Sequence, residues 1–372
     1  MMISQSSNKS GGSEGDFFRI LKHLKNKYYI ISVFPDGNRD NMFKNYSDEY
    51  LIIPDKIFPF DKFSFKGYYF YLKFSYKKFF ILYPFLKKLK KDVDICFVNS
   101  SVCVIEMILL NILRIPYVIS IKEVIEPALA RFIIYKFVIG NARKVIVISE
   151  YLKTLYTKVN KNDSPVIIRS AIDGDLLGEL KQQMLKDAKI NRNNFVIINI
   201  GVIHPLKNQM LLLKSLSNIN NDISMKVKFI GPIRDLKYYN TLVEYTNKFI
   251  PKTIEVSFTN DLENKDVLKE IFNSHCVVIT SKKEGMSLVF AEALFMEKPV
   301  ISTKVGVMPE IIVDGENGFL INDDDYSRLS ECLNVIENDR DLFRDKLFGM
   351  QSNNFDLNYY NAKHEEVIVS NC

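Results

Sequence analysis

Apolar residues in this chain come as short continuous runs, separated by stretches where they recur every three or four positions. YYIISVF (28–34), DICFVNS (94–100), IPYVISI (115–121) and KVIVISE (144–150) are such runs. Helical spacing predicts helices at 17–25, 106–114, 128–138 and 151–159. Continuous rather than alternating apolar strands point to a parallel sheet covered on both faces. The pattern restarts after the polar stretch 181–194. Strands are predicted at 195–201, 226–231, 253–258, 276–281, 299–303 and 318–322, with helices at 207–217, 235–249, 264–273, 287–297 and from 326. This alternation predicts an α/β protein of two Rossmann-like, doubly wound domains. The expected organisation is an N-terminal domain over 1–165, a linker region over 166–193, a C-terminal domain over 194–345 and a closing segment over 346–372.

Composition narrows the class without changing the fold. The length of 372 residues suits two domains, and 47% hydrophobic with 25% charged residues excludes a disordered or fibrous chain. The longest apolar stretches run to about eight residues, as at 79–86, too short to span a bilayer. The opening MMISQSSNKSGG lacks the apolar core of a secretory signal. Five scattered cysteines without a CxxC predict reduced thiols and a cytoplasmic protein.

Charge is distributed unevenly. The net formal charge is +6, yet residues 56–91 hold ten Lys and one Asp, so the rest of the chain is slightly acidic. The same window carries fourteen aromatic residues. Phe70, Phe74, Lys77, Lys78 and Ile81 fall at spacings of three and four, so part of it suits an amphipathic helix. Lysines with aromatic rings fit an anionic membrane surface, with ammonium groups on headgroups and rings in the interface. A solvated core helix and a nucleic-acid surface are the competing readings; we expect the membrane surface and no nucleic acid.

The chemistry concentrates in 281–294. Ser281, Glu284, Gly285, Met286, Ser287 and Leu288 follow an apolar strand and lead into a helix that carries Glu292. Gly285 permits a tight turn, and the amides of Met286, Ser287 and Leu288 at a helix N-terminus can cradle a diphosphate. Glu284 and Glu292 can accept hydrogen bonds from sugar and ribose hydroxyls. Asp323, Asp324 and Asp325 satisfy a D-x-D pattern but precede a helix, where N-capping is the better reading. Ser149 is likewise read as an N-cap. The four histidines lack zinc spacing, and no metal is implied.

These motifs resemble the family-four retaining glycosyltransferases, whose fold is GT-B, two Rossmann-like domains facing across a cleft. The pair Glu284 and Glu292 matches the family's E-x7-E motif, and residues 306–321 (GVMPEIIVDGENGFLI) match a second family segment. The resemblance implies that Glu284 contacts the donor sugar and Glu292 the ribose. It places Lys207 on the donor diphosphate, and Gly201 and Gly231 at close backbone approaches. Val202 stands where the family has Arg, so either donor affinity is lower by one cation or another residue substitutes, with His204 and Arg234 as the candidates. Ser10, Gly11, Gly12, Ser13 and Gly15 resemble the family's glycine-rich first loop, on the acceptor or phosphate side. Lys122 occupies the position of a frequent family His and is a candidate phosphate or acceptor contact. Glu123 and Glu126 are read as helix-start carboxylates in preference to acceptor contacts. The segment 355–368 resembles the family's closing helix, which returns to the N-terminal domain.

The expected function is a retaining, metal-independent hexosyl or related transfer. A sugar would move from a nucleotide-diphosphate donor, UDP- or GDP-linked, to a carbohydrate acceptor on a lipid, in bacterial surface polysaccharide synthesis. No cofactor is expected beyond the donor substrate. Glu284 and Lys207 are the expected catalytic residues, and the location is the inner face of the cell membrane. The competing functions are a non-catalytic GT-B subunit that stabilises a partner transferase and a GT-B sugar-nucleotide epimerase.

Overall fold

A computed structural model describes residues 1–4, 12–37, 40–53, 65–125, 127–161, 163–187, 194–217, 219, 224–260, 262–339, 343, 347 and 355–372, with backbone alone at 12–13, 40–41 and 65–75. The chain divides into two compact units, Met1–Ser170 with Asn358–Cys372, and Ala171–Leu357. Residues 5–11, which include Ser10 and Gly11, lie outside the described residues, as do 54–64, which take in 56–64 of the basic window, and Glu126.

Among the described residues the first unit has a seven-stranded parallel sheet. Its strands are β1 (Met2–Ile3), β2 (Ile31–Pro35), β3 (Glu49–Ile53), β4 (Cys96–Val98), β5 (Tyr117–Ile121), β6 (Lys144–Val147) and β7 (Val166–Ile167), in the order β3-β2-β1-β4-β5-β6-β7. The apolar runs form its centre: every residue of β2, β4 and β5 is buried. The edge strand β3 escapes the sequence pattern because Glu49 and Tyr50 are exposed, leaving a short half-apolar run. Its connections are α1 (Gly12–Leu24), α2 (Asp40–Asn45), α3 (Phe65–Leu89), α4 (Val104–Leu113), α5 (Ala128–Ile133) and α6 (Glu150–Thr157). Right-handed crossovers place α1 and α2 on one face of the sheet and α3 to α6 on the other. The helix expected at 128–138 divides, because α5 passes into a π-helical turn, Ile134–Val138. Ser149 caps α6 as expected, its hydroxyl accepting from Leu152 N at 3.2 Å.

The second unit has a six-stranded parallel sheet. β8 (Phe195–Ile200), β9 (Met225–Ile230), β10 (Ile254–Thr259), β11 (Cys276–Ile279), β12 (Val300–Thr303) and β13 (Phe319–Ile321) take the order β10-β9-β8-β11-β12-β13. The helices are α7 (Gly174–Asp187), α8 (Gln209–Leu216), α9 (Leu236–Phe249), α10 (Asn264–Asn273), α11 (Leu288–Phe295), α12 (Met308–Ile311) and α13 (Tyr326–Asn338). Each expected strand and helix of this unit forms. Strand order reverses between β8 and β11, and such a switch point opens a crevice beyond the strands' carboxyl ends.

A last helix, α14 (Leu357–Val369), belongs from Asn358 onward to the first unit. Glu365 ties it to α1 by pairing with His23 Nε2 at 2.8 Å and to the turn after α1 by accepting from Lys27 Nζ at 2.6 Å. No helix among the described residues is long and apolar enough to cross a membrane.

Candidate functional site

The loops after β8 and β11 emerge side by side at the switch point of the second sheet. After β8, Gly201 adopts φ +152°, and a 3-10 turn (Pro205–Lys207) follows, capped by His204. Lys207 therefore ends this turn, and Asn208 in the left-handed region (φ +53°) separates it from α8. After β11, Thr280 and Ser281 lead to Glu284 and Gly285, and α11 begins at Leu288. The two loops are stitched by Lys282 N donating to Leu206 O at 2.8 Å.

The stitching brings Lys207 and Glu284 together. Lys207 Nζ donates to Glu284 Oε1 at 2.5 Å, and Ser281 Oγ donates to the same oxygen at 2.7 Å. Both loops are braced from beneath. Thr280 Oγ1 donates to Lys207 O at 2.7 Å, and Thr303 Oγ1, at the end of β12, donates to Ser281 O at 2.6 Å. Asn199 Nδ2, buried inside β8, donates to Val278 O at 2.8 Å and to Thr280 Oγ1 at 3.3 Å. These bracing residues were absent from the sequence-based site. Their signal was present: a buried Asn inside the apolar run FVIINI, and hydroxyl residues at the ends of two apolar strands.

Glycines set the backbone clearances. A Cβ on Gly231 would lie 2.3 Å from Gly201 O, and Gly231 holds φ +144°, so the close approach expected there is present and no other residue fits. A Cβ on Gly201 would meet the stem of Lys207, 3.5 Å from its Cε. Gly306, after β12, fills the same need beside Gly285. Its φ is +55°, and a Cβ there would lie 2.5 Å from Gly285 O and 3.0 Å from Glu284 O.

Met286, Ser287 and Leu288 form the half-buried entry to α11. Ser287 occupies the N-cap position, yet its side chain makes no capping bond. That leaves the first-turn amides and the positive end of the helix to an anion. Glu292 lies one turn further along α11, half-buried. His204, a candidate substitute for the family's Arg, accepts from Leu206 N through Nδ1 at 3.2 Å and so serves as a cap. Arg234 is exposed on the loop after β9, which pairs with the loop after β8 through the Ile203–Ile233 bridge. Asp325 caps α13, its carboxylate accepting from Arg328 N at 2.9 Å, in line with the reading of the D-x-D pattern.

In the first unit, Lys122 leaves β5 and turns inward, 8% exposed. Its Nζ donates to Asp16 Oδ2 and to Asn99 Oδ1, both at 3.0 Å. Burial alone would raise the Asp16 carboxyl. Lys122, then Arg19, and then hydrogen bonds from Ser170 and Lys122 hold it below its ordinary value. Lys122 is thus committed to the unit's interior. Glu123 corrects the helix-start reading, because it lies ahead of α5 and accepts from Ser100 Oγ at 2.9 Å. The hydroxyls after β4 supply donors that a solvent-facing helix start would lack; burial nonetheless pushes the Glu123 carboxyl up. Gly12 opens α1.

Residues 181–347 match the family described as Glycosyl transferases group 1. An uncharacterised glycosyltransferase of Methanocaldococcus jannaschii is 26% identical over 239 residues, covering 63% of this chain and 62% of that protein. The alignment thus spans less than two thirds of that relative's length. The GalNAc-alpha-(1->4)-GalNAc-alpha-(1->3)-diNAcBac-PP-undecaprenol alpha-1,4-N-acetyl-D-galactosaminyltransferase of Campylobacter jejuni is 26% identical, covering 78% of this chain and 77% of that one. Among solved structures, Anabaena HepE in complex with UDP and glucose superposes with a TM-score of 0.75 at 17% identity, covering 99% of each chain. A sucrose-phosphate synthase from Thermosynechococcus elongatus does so at 0.75 and 13%, covering 99% of this chain and 98% of that one. Residues 181–347, less than half of the chain, are thus similar to the group 1 glycosyl transferases, and the fold is that of the GT-B glycosyltransferases.

Proposed function

We propose that this protein is a retaining, metal-independent glycosyltransferase that uses a UDP- or GDP-linked sugar and a carbohydrate acceptor carried on a lipid. The observation that carries the reading is the Lys207–Glu284 pair at the sheet's switch point, beside the N-terminus of α11. A donor diphosphate at that N-terminus takes the Lys207 ammonium from Glu284 and leaves the carboxylate to accept from a sugar hydroxyl. Glu292 meets the ribose diol. The bond from the anomeric carbon to the diphosphate breaks, and a bond to the acceptor oxygen forms on the same face of the sugar. The acceptor proton passes to the departing diphosphate, whose charge Lys207 and the 286–288 amides stabilise. HepE, with UDP bound, supports a uridine donor. The Campylobacter relative, named for a PP-undecaprenol-linked glycan, supports a lipid-linked acceptor and a role in bacterial surface polysaccharide synthesis.

A thermal-shift panel of UDP- and GDP-sugars tests donor binding, because a ligand of the folded state raises its midpoint by mass action. Donor hydrolysis by wild type against Glu284→Ala tests catalysis, and equal rates sink the enzyme reading. Val202 in the family's Arg position keeps a non-catalytic subunit in play, and donor binding without turnover would select it. An altered sugar nucleotide formed without acceptor would select an epimerase. Turnover that persists in a chelator, with a product of unchanged anomeric configuration, is the expected result.

The same reading seats the protein on the anionic inner face of the cell membrane through residues 56–91. The exposed Tyr76 and Phe80 of α3, with ring centroids 4.5 Å apart, and the exposed Lys77, Lys87 and Lys88 support it. Lys78 is unsuited to a charge-reversal test, since it pairs with buried Glu106 at 2.6 Å. Changing Lys77, Lys87 and Lys88 to Glu is expected to release the protein from anionic vesicles.

A further inference from the structure

Five of the six residues of α5 are apolar, and none of the six is buried. Leu129 is 69% exposed, and in the π-helical turn that follows Phe137 is 66% exposed. Ile134, Tyr135 and Val138 point inward and anchor the segment to the unit. Its other side presents Leu129, Phe132, Ile133 and Phe137 to the surroundings. Single exposed apolar residues are ordinary, but four within nine positions mark a contact surface.

The charge around this patch selects its occupant. α3 and α4 lie on the same face of the first sheet as α5; α3 packs on α4, and α4 packs on the π-helical turn. α3 carries six lysines and no carboxylate. Glu106, the sole carboxylate of α4, is buried against Lys78. The segment 128–138 adds Arg131 and Lys136. An apolar patch within this positive frame complements anionic headgroups over an acyl interior. A second copy docked about a two-fold axis would bring like charges face to face.

We infer that residues 128–137 form a membrane-insertion element for an anionic lipid bilayer. Leu129, Phe132, Ile133 and Phe137 enter the acyl boundary while the exposed Lys77, Lys87 and Lys88 of α3 face the headgroups. The inference rests on the membrane reading above and supplies its apolar half from a segment which that reading does not use. Charge and apolar insertion act as two signals, each too weak alone for stable attachment.

The chain contains no tryptophan, so Phe132→Trp and Phe137→Trp are single-tryptophan reporters in the full-length protein. Each is titrated with vesicles of phosphatidylglycerol and phosphatidylcholine and with phosphatidylcholine alone. With anionic vesicles their emission is expected to shift to the blue and to be quenched by lipids brominated in the acyl chain. Leu236→Trp, 65% exposed in the second unit, is expected to do neither. Changing Phe132 and Phe137 together to Ser is expected to weaken vesicle affinity about tenfold or more. The thermal midpoint should hold, because neither ring is buried. Vesicle binding without acyl quenching at either reporter, or a double variant that binds like wild type, overturns the inference. A blue shift that grows with protein concentration in the absence of vesicles assigns the patch to a second copy and also overturns it. If the reporters insert but no nucleotide-sugar binds, the glycosyltransferase reading fails alone. If donor turnover is intact and the reporters stay in water, the insertion element fails alone.

Discussion

Replacing Asp16 by Asn removes the anion from a buried site on which three donors converge. Asp16 Oδ2 accepts from Ser170 Oγ at 2.6 Å and from Lys122 Nζ at 3.0 Å, and Oδ1 accepts from Arg19 at 2.9 Å. Asp16 is 1% exposed and Lys122 8%. Removing one partner of a buried ion pair costs about 3–5 kcal/mol, because the stranded charge keeps its desolvation penalty. The Arg19 side chain, 24% exposed, can turn to water, and Lys122 keeps the neutral acceptor Asn99. The lower end of the range, about 3 kcal/mol, is therefore expected. In a unit of this size that lowers the thermal midpoint by roughly 6–12 °C. Differential scanning calorimetry of the full chain reads it, with the transition of the first unit followed separately from that of the second. Lys122→Met is expected to cost a similar amount. The double variant Asp16→Leu with Lys122→Met is expected to recover to within about 1 kcal/mol of wild type, since it leaves no buried charge unpaired. A midpoint unchanged in Asp16→Asn, or a double variant as damaged as the sum of the singles, would refute this reasoning.

The same pair sets an acid limit. The Asp16 carboxyl is held low in the folded state, so its stabilisation is full above the ordinary value of 3.8 and is lost as pH falls through the folded value. His364 acts over a higher window. Burial pushes its imidazole down to about 3 against an ordinary 6.5, so the unfolded chain binds a proton that the folded chain refuses. Stability is expected to fall as pH drops below 6.5, approaching about 1.4 kcal/mol per pH unit. In urea titrations between those values, His364→Leu should flatten the slope. Gly306→Ala, in the left-handed region and facing Gly285 O, is expected to cost about 1–3 kcal/mol and to abolish the donor-induced thermal shift; a retained shift counts against the backbone-clearance argument. Ser281→Ala removes one of the donors to Glu284 and is expected to lower donor hydrolysis about fivefold with circular dichroism unchanged.

The second unit was legible almost element by element, because its strands are continuous apolar runs and its helices keep a clean three-to-four spacing. The first unit was less so. β1 and β7 are two residues each, and β3 is half exposed, so none carries enough apolar length to register as a strand. In the second unit α7 escaped, because it runs into the polar stretch 181–194 and its apolar side is carried by Leu177 and Met184, buried too sparsely to show in the pattern. Within the site, Glu284, Gly285 and Lys207 could be picked out as residue types in strand-to-helix loops. Thr280, Thr303 and Asn199 showed only as polar residues in or after apolar strands, since their roles are bonds to backbone carbonyls of other segments.

Local order determined a great deal by itself. The alternation of apolar runs with amphipathic stretches specified two parallel-sheet units, and glycines beside helix starts marked where an anion could be held. Tertiary structure alone decided which of those groups meet. Lys207 and Glu284 lie 77 positions apart and touch because β8 and β11 are neighbours at the switch point. Lys122, by type a free cation, lies 106 positions from Asp16 and is buried against it. The exposure of α5 reverses what its composition predicts, since an apolar helix reads as core until its neighbours are known. Periodicity is a property of a few adjacent residues. Pairing and burial depend on strand order and crossover, which join residues that no local window contains.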